Sequence, residues 1–270
     1  MMLLKRVATA AVIVPFLAAV VLFGKGWPFS LLVLAAAMLC AAEYFRMFFP
    51  SPWDRWTGVL AAVLACASGS LLPFPAALSA LLLCVAMAAF HYLPAEGPLA
   101  ERARSAALSV LGVAYIGGFL STWPRTILLP GGEHWVLMGV GAVAAGDTLA
   151  YFVGRAVGKH PLALRISPNK TWEGAAGGLA GSVLFGGVYA AFLLPGVPAW
   201  FSLSASAAVG VAGQCGDLFE SMLKRAAGVK DSGGLLPGHG GLLDRVDGII
   251  AAGPVIHLLA VIFHYPSGGG

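Results

Sequence analysis

Acidic, basic and histidine side chains are concentrated between residues 221 and 247, in a chain that is otherwise very poor in charge. The stretch is rich in glycine and separates two long apolar runs. Its ionisable residues are Lys224, Arg225, Lys230, Asp231, His239, Asp244, Arg245 and Asp247. Carboxylates suit a hard cation, whereas lysine, arginine and backbone amides suit phosphate oxygens. This stretch is therefore the first candidate for chemistry on a phosphorylated substrate.

Two further aspartates lie inside apolar runs. Asp147 is about 12 Å deeper than Arg155, and Asp217 about 10 Å deeper than Lys224, at 1.5 Å per helical residue. An unpaired carboxylate at such depth costs at least ~2.5 kcal/mol, so each needs water, a cation or a partner. Carboxylates from two spans facing one cavity predict a Mg²⁺ site, and carboxylates without Cys or paired His as co-ligands argue against zinc. A structural hydrogen bond between helices is the alternative for Asp147.

The composition indicates which solvent surrounds the chain. Hydrophobic residues make up 59% of it and charged residues 10%, and the mean hydropathy is +0.87, whereas a soluble domain is about a quarter charged. Such a chain is expected to be an all-α polytopic membrane protein, because its apolar runs are long enough to span as helices. We predict about nine transmembrane helices, near residues 7–24, 27–49, two within 56–93, 105–124, 134–153, two within 174–216, and 246–265.

The distribution of basic residues predicts the orientation. With nine spans, every Lys and Arg except Lys25 and Arg125 falls on the side of the N-terminus. An excess of basic residues marks the cytoplasmic side. The N-terminus is therefore expected in the cytoplasm and the C-terminus outside, with an active-site cavity open to the cytoplasm. We divide the chain into N-terminal helices, residues 1–130, and a catalytic region, residues 131–270, with cytoplasmic loops 154–173 and 224–245.

The loop before the seventh span carries a second group of candidate residues. Ser167 or Thr171 could cap the following helix, with Glu173 in its first turn. Capping does not explain Asn169 and Lys170, which with nearby basic residues could cradle a triphosphate. Attraction of these basic residues to anionic lipid is the competing explanation.

The residues that begin the last span also allow two interpretations. Gly240 and Gly241 let backbone amides approach an anion closely, and His239 could hydrogen-bond a phosphate or a base. Asp244 and Asp247 are three residues apart and share a helix face. The alternative is that these two carboxylates merely complement the helix dipole.

Two spacings predict helix contacts rather than chemistry. Glu43 and Arg46 are three residues apart near the end of the second span and could pair at the membrane interface. In the seventh span, glycines recur at small-xxx-small spacing, which predicts close helix packing. That packing could lie within the chain or between the two copies of a homodimer. The glycines are Gly174, Gly177, Gly178 and Gly181.

From Ser221 to Asp247 the chain resembles the phosphatidate cytidylyltransferases, also called CDP-diacylglycerol synthases. The stretch meets the family pattern Ser-x3-Lys-Arg-x4-Lys-Asp-x-small-x2-apolar-Pro-x-His-Gly-Gly-apolar-x-Asp-Arg-apolar-Asp at every fixed position. The stretches Ser-Pro-Asn-Lys-Thr-Trp-Glu-Gly and Gly-Asp-Thr-Leu-Ala-Tyr-Phe-Val-Gly-Arg resemble the family as well. The resemblance covers roughly the second half of the chain, and the first half matches only as a generic set of apolar spans.

The resemblance implies transfer of CMP from CTP to phosphatidic acid, with release of pyrophosphate. It implies Mg²⁺ held by Asp217 and Asp244, a second cation such as K⁺, and a bacterial-type inner membrane, with no nucleic-acid partner. The candidate catalytic residues are Asp147, Asp217, Lys224, Arg225, His239, Asp244 and Asp247. The candidate substrate contacts are Ser167, Asn169, Lys170, Thr171, Glu173, Ser221, Lys230, Asp231, Gly240, Gly241 and Arg245.

Other functions remain compatible with these residues. An ion-coupled transporter would use Asp147 and Asp217 as coupling-ion sites. A related enzyme would use CTP on another lipid phosphate or on a polyprenol. A non-catalytic scaffold would leave the carboxylates within the spans unexplained.

The predicted topology can be tested with reporters fused to the C-terminus. A reporter that is active only outside the cytoplasm should be active there, because nine spans place the two termini on opposite sides. Activity of a C-terminal reporter that works only in the cytoplasm would contradict the predicted orientation.

Overall fold

The computed structural model describes residues 18–24, 26–234 and 240–264. Residues 18–23 are helical and form α1. The other helices are α2 (Trp27–Phe48), α3 (Pro52–Leu71), α4 (Phe74–Phe90), α5 (Leu99–Gly112), α6 (Thr122–Ile127), α7 (Gly132–Val157), α8 (Trp172–Leu193), α9 (Ala199–Ala226) and α10 (Leu243–His264). A π-helical segment, Val113–Gly118, continues α5. Outside the described residues lie the candidate His239, most of the expected first span, and Lys5, Arg6 and Lys25.

Five helical stretches are long and apolar enough to cross a membrane within the part of the chain that the structure describes. They are α2, Leu99–Ile127, α7, α8 and α10. The chain is therefore an α-helical, multi-pass membrane protein, as its composition predicts. Helix α4 is apolar but shorter, and α9 carries acidic and basic residues in its second half. The count of nine spans and their orientation stay predictions.

Two features differ from the expected elements. Helix α5 begins at Leu99 rather than near residue 105, after Pro98 and with Glu101 in its first turn. The loop before α8 contains an antiparallel hairpin of β1 (Pro161–Ala163) and β2 (Ser167–Thr171). Such short strands hold too few residues for an alternating pattern to indicate them.

The helices pack as two groups that share α10. Helices α7, α8, α9 and α10 contact one another in the C-terminal group, and α2 to α5 form the N-terminal group. Helix α10 also touches α2 and α6. At that contact the indole Nε1 of Trp123 donates to the carbonyl oxygen of Ile249 at 3.2 Å. The two halves of the sequence are thus joined through the last helix.

The glycine spacing in α8 serves packing within the chain. A Cβ atom on Gly178 would lie 3.0 Å from Ala150 Cβ, Gln214 Nε2 and Gly146 O. Glycine therefore lets α8 approach α7 and α9 closely enough to fix their separation. Of the two expected arrangements, the structure has the intramolecular one, and a homodimer stays a prediction.

Substitution at Gly178 should test this packing. Gly178→Val should lower the free energy of unfolding by about 1–3 kcal/mol, because the added atoms overpack a closed contact. Ala176→Val is the matched control, since residue 176 is exposed on the same helix. Thermal unfolding in detergent compares the two variants, and equal midpoints would contradict the packing role.

Candidate active site

A cavity of about 670 Å³ opens between α7, β2, α8, α9 and α10, a size typical of small-molecule sites. Four carboxylates and four basic side chains line it, which are Asp147, Asp217, Asp244, Asp247, Arg155, Lys170, Lys224 and Arg245. Helices remote in sequence thus bring the predicted acidic and basic residues to one place. The neighbouring charges compensate one another among otherwise apolar helices.

Three of the carboxylates come from three different helices. Asp147 lies on α7, Asp217 on α9 and Asp247 on α10, and all three line the same cavity. Lys170 reaches this group from β2, with its Nζ 2.5 Å from Asp217 Oδ2. The cavity therefore already accommodates a cationic group beside Asp217.

A second lysine joins two carboxylates at the other side of the site. Lys224 Nζ lies 2.5 Å from Asp244 Oδ1 and 2.6 Å from Glu220 Oε2. The Glu220 side chain is 1% exposed, whereas those of Lys224 and Asp244 are 12% exposed. Glu220 is not among the candidates predicted from the sequence. Lys224 follows it by four residues, however, and this spacing predicts an ion pair on one face of a helix.

The other oxygen of Asp244 organises the start of α10. Asp244 Oδ2 accepts from Ser232 N at 3.0 Å, from Ser232 Oγ at 3.1 Å and from Gly241 N at 3.0 Å. Gly240 has a φ of +81°, and a Cβ on Gly241 would lie 1.9 Å from Ser232 Oγ. The Gly241 amide, expected to bind a substrate anion, binds a carboxylate of the chain itself. Asp244 thus holds the residues that precede α10 and also lines the cavity.

Glu43 on α2 binds the same segment from the N-terminal half. Its buried carboxylate accepts from Leu242 N at 3.0 Å, from Leu243 N at 2.8 Å and from Ser232 Oγ at 3.0 Å. The expected pairing with Arg46 is wrong, because Glu43 points into the protein while Arg46 is exposed. The signal that identifies Glu43 is its position: a carboxylate within an apolar span is functional by default.

Three polar residues of the cavity were not among the site candidates predicted from the sequence. Tyr151, Arg155 and Gln214 line the cavity. Arg155 Nη1 donates to Tyr151 Oη at 3.0 Å, and both lie on the Asp147 face of α7 as their spacing indicates. Gln214 Nε2 donates to Ala175 O at 3.1 Å. An uncharged amide in an apolar run gives little signal in the sequence.

The hairpin candidates divide between the cavity and the scaffold. Asn169 and Thr171 line the cavity, and Thr171 caps α8 by accepting from Gly174 N at 3.1 Å. Ser167 lies in β2 outside the cavity lining. Glu173 accepts from the amides of Lys159 and His160 at 3.2 Å, and thereby ties the hairpin to α8. Capping by Thr171 is thus confirmed, while Ser167 takes no such part.

The remaining candidates lie around the cavity rather than along its wall. Ser221 Oγ is 3.5 Å from Asp217 Oδ1, and Arg225 Nε donates to Ile166 O at 3.4 Å. Arg225, Lys230 and Asp231 are exposed and do not line the cavity. Their contacts with substrate stay predictions.

The donor set fits Mg²⁺ only as a shared site. Among the described residues, no three His, Cys, Asp or Glu side chains form a group able to hold a metal ion by themselves. Mg²⁺ needs no such cage, because it typically uses one or two carboxylates, water and substrate phosphates. Carboxylate oxygens beside basic side chains fit this mode of binding.

The cavity thus combines carboxylates for a hard cation with basic groups for phosphates. The chain belongs to the cytidylyltransferase family, whose sequence model matches residues 4–263. This confirms the resemblance found in the stretch from Ser221 to Asp247. The match also extends over the N-terminal helices, where sequence reasoning found no specific signal.

Individual relatives carry more specific names. The chain is 50% identical over 120 residues to a phosphatidate cytidylyltransferase of Brucella abortus, covering 44% of each chain. It is 41% identical over 157 residues to one of Staphylococcus saprophyticus, covering 58% of this chain and 59% of that one. For phosphatidate cytidylyltransferase 5, chloroplastic, of Arabidopsis thaliana, identity is 33%, over 88% of this chain and 67% of that one. The match thus spans less than half the length of the Brucella relative.

The two lysines of the site should differ in their effect on stability. Lys224→Met should lower the free energy of unfolding by about 3–5 kcal/mol, because it leaves Glu220 and Asp244 without their counter-ion in the interior. Lys170→Met is the matched control and should cost about 1 kcal/mol or less, since its pair with Asp217 is solvated.

Denaturant unfolding in detergent measures both variants. A Lys224→Met/Glu220→Gln double variant should recover part of the loss, because it removes one uncompensated charge. Equal stability of the two single variants would contradict the assigned role of Lys224.

Proposed function

We propose that this protein transfers the cytidylyl group of CTP to phosphatidic acid, giving CDP-diacylglycerol and pyrophosphate. One observation carries the proposal: carboxylates and basic side chains from α7, β2, α9 and α10 line one cavity among membrane helices. Membership of the cytidylyltransferase family supports it, as do the names of the relatives. A lipid phosphate could enter such a cavity sideways from the bilayer, while CTP enters from water.

The proposed setting is a bacterial-type inner membrane crossed by nine helices. The N-terminus and the cavity face the cytoplasm, where CTP is found, and the C-terminus lies outside. The bias of basic residues supports this orientation. Residues 131–270 form the catalytic region of the proposal, and residues 1–130 the N-terminal helices. A homodimer belongs to the proposal as well.

In the proposed reaction an oxygen of the lipid phosphate attacks the α-phosphorus of CTP. A new P–O bond forms in line with the bond from the α-phosphorus to the leaving pyrophosphate, which breaks. The attacking phosphate is already anionic near neutral pH, so no strong general base is needed. Orientation and charge stabilisation then supply most of the rate.

The charged residues have distinct proposed roles. Asp217 and Asp244 would hold Mg²⁺, which would supply charge stabilisation for the triphosphate and pyrophosphate. Lys170 and Lys224, now paired with these two aspartates, contact phosphate oxygens when substrate binds. Arg225 and Lys230 extend the basic surface outside the cavity. A second cation such as K⁺ stays part of the proposal.

Loss of the Asp217 charge should abolish the reaction. Asp217→Asn should lower pyrophosphate release from CTP by at least ~100-fold, because charge stabilisation of that order is lost, while the protein still inserts and folds. Cys215→Ala is the matched control, since Cys215 is an exposed residue of the same helix.

Purified proteins are incubated with CTP, phosphatidic acid and Mg²⁺, and Mg²⁺ is omitted in parallel. Activity of Asp217→Asn near that of the Cys215→Ala control would contradict the role of Asp217. Undiminished wild-type activity without Mg²⁺ would contradict the cofactor.

A further inference from the structure

Glu43 contacts the chain before and after residues 235–239. On one side Ser232 Oγ donates to Glu43 Oε2 at 3.0 Å. On the other side, Leu242 N donates to Oε1 at 3.0 Å and Leu243 N to Oε2 at 2.8 Å. The carboxylate, 3% exposed, thus joins Ser232 to the residues that begin α10.

Two glycines pack closely against the Glu43 carboxylate. A Cβ on Gly233 would lie 2.6 Å from Glu43 Oε1, and one on Gly241 would lie 2.6 Å from Oε2. Glycine at both positions therefore allows the backbone to close over the carboxylate. The backbone amides supply the hydrogen bonds that a buried carboxylate requires.

The contact continues to the cavity through Ser232. The Ser232 hydroxyl lies within hydrogen-bond distance of Glu43 Oε2 and also of Asp244 Oδ2, at 3.1 Å. Asp244 in turn pairs with Lys224, and both line the cavity. Glu43 itself does not line it. Glu43 therefore acts on the site through other residues.

We propose that Glu43 is a positioning residue for cytidylyl transfer. It holds Ser232 and residues 241–244 against α2, so that Asp244 and Lys224 keep their places in the cavity. This makes α2, from the N-terminal helices, part of the catalytic unit. The inference rests on the proposed function and extends it to a residue outside the recognised motifs.

Hydrogen exchange reports this role without relying on activity. Glu43→Gln keeps the size of the side chain but replaces one acceptor oxygen by an NH₂ group, which faces an amide or hydroxyl donor. Exchange in peptides covering residues 240–246 should accelerate at least ~10-fold, while peptides of α7 and α8 stay unchanged. Arg46→Gln is the matched control, because Arg46 is exposed one turn further along α2.

Kinetics then connect the segment to catalysis. Glu43→Gln should lower kcat/KM for CTP by roughly 10- to 100-fold, as is typical for a residue that orients a ligating group. Arg46→Gln should stay near wild type. Because Ser232 transmits the effect, Ser232→Ala and Glu43→Gln should be non-additive in the double variant.

Three results would overturn the proposal. Unchanged exchange at residues 240–246 would show that Glu43 does not hold the segment. Faster exchange throughout α2, α7 and α10 would assign Glu43 a general structural role instead. Additive effects with Ser232→Ala would exclude the pathway through Ser232. An inactive wild-type protein would refute the proposed function, and the exchange comparison would still decide whether Glu43 holds the segment.

Discussion

The amide groups of residues 241–243, where the chain enters α10, must find acceptors inside the protein. Two carboxylates that are far apart in the sequence provide them. Asp244 binds the Gly241 amide, and Glu43 binds those of Leu242 and Leu243. Helix N-termini favour negative charge, so the start of α10 stabilises the buried carboxylates. The carboxylates in turn accept from amides that have no partner within the helix. This contact fixes the residues that lead into α10, while α10 itself packs against α9, α7 and α6.

Charged side chains of the cavity also pair with one another, as charges buried among apolar helices require. Lys224 joins Glu220 to Asp244, and Lys170 lies on Asp217. These pairs hold the site together before substrate arrives. Phosphate oxygens of a bound triphosphate could replace the carboxylates as partners of the two lysines, and a cation could replace the lysines as partner of the carboxylates. Substrate could then bind without leaving any of these charges unpaired in an apolar environment. Such exchange is well suited to phosphoryl chemistry, in which positioning and charge stabilisation contribute most of the rate.

Much of this site could be predicted from the sequence because its signals are local. Asp217 stands out as a charge in an apolar run, Thr171 as a helix cap, and Gly178 as part of a small-residue spacing. The hairpin before α8 could not be predicted, because its strands are too short to show a period. The role of Glu43 could not be predicted either, because its partners are backbone amides about 200 residues away along the chain. Its spacing to Arg46 instead suggested a local pair, which tertiary contacts override.

The central claim is that the cavity transfers a cytidylyl group rather than a phosphoryl group or an ion. The position of the radioactive label in CTP tests this most directly. Purified protein is incubated with phosphatidic acid, Mg²⁺ and CTP labelled either at the α- or at the γ-phosphate. Cytidylyl transfer predicts that the α-label enters the lipid and the γ-label leaves as pyrophosphate. Appearance of the γ-label in the lipid, or of neither label in lipid or pyrophosphate, would contradict the claim.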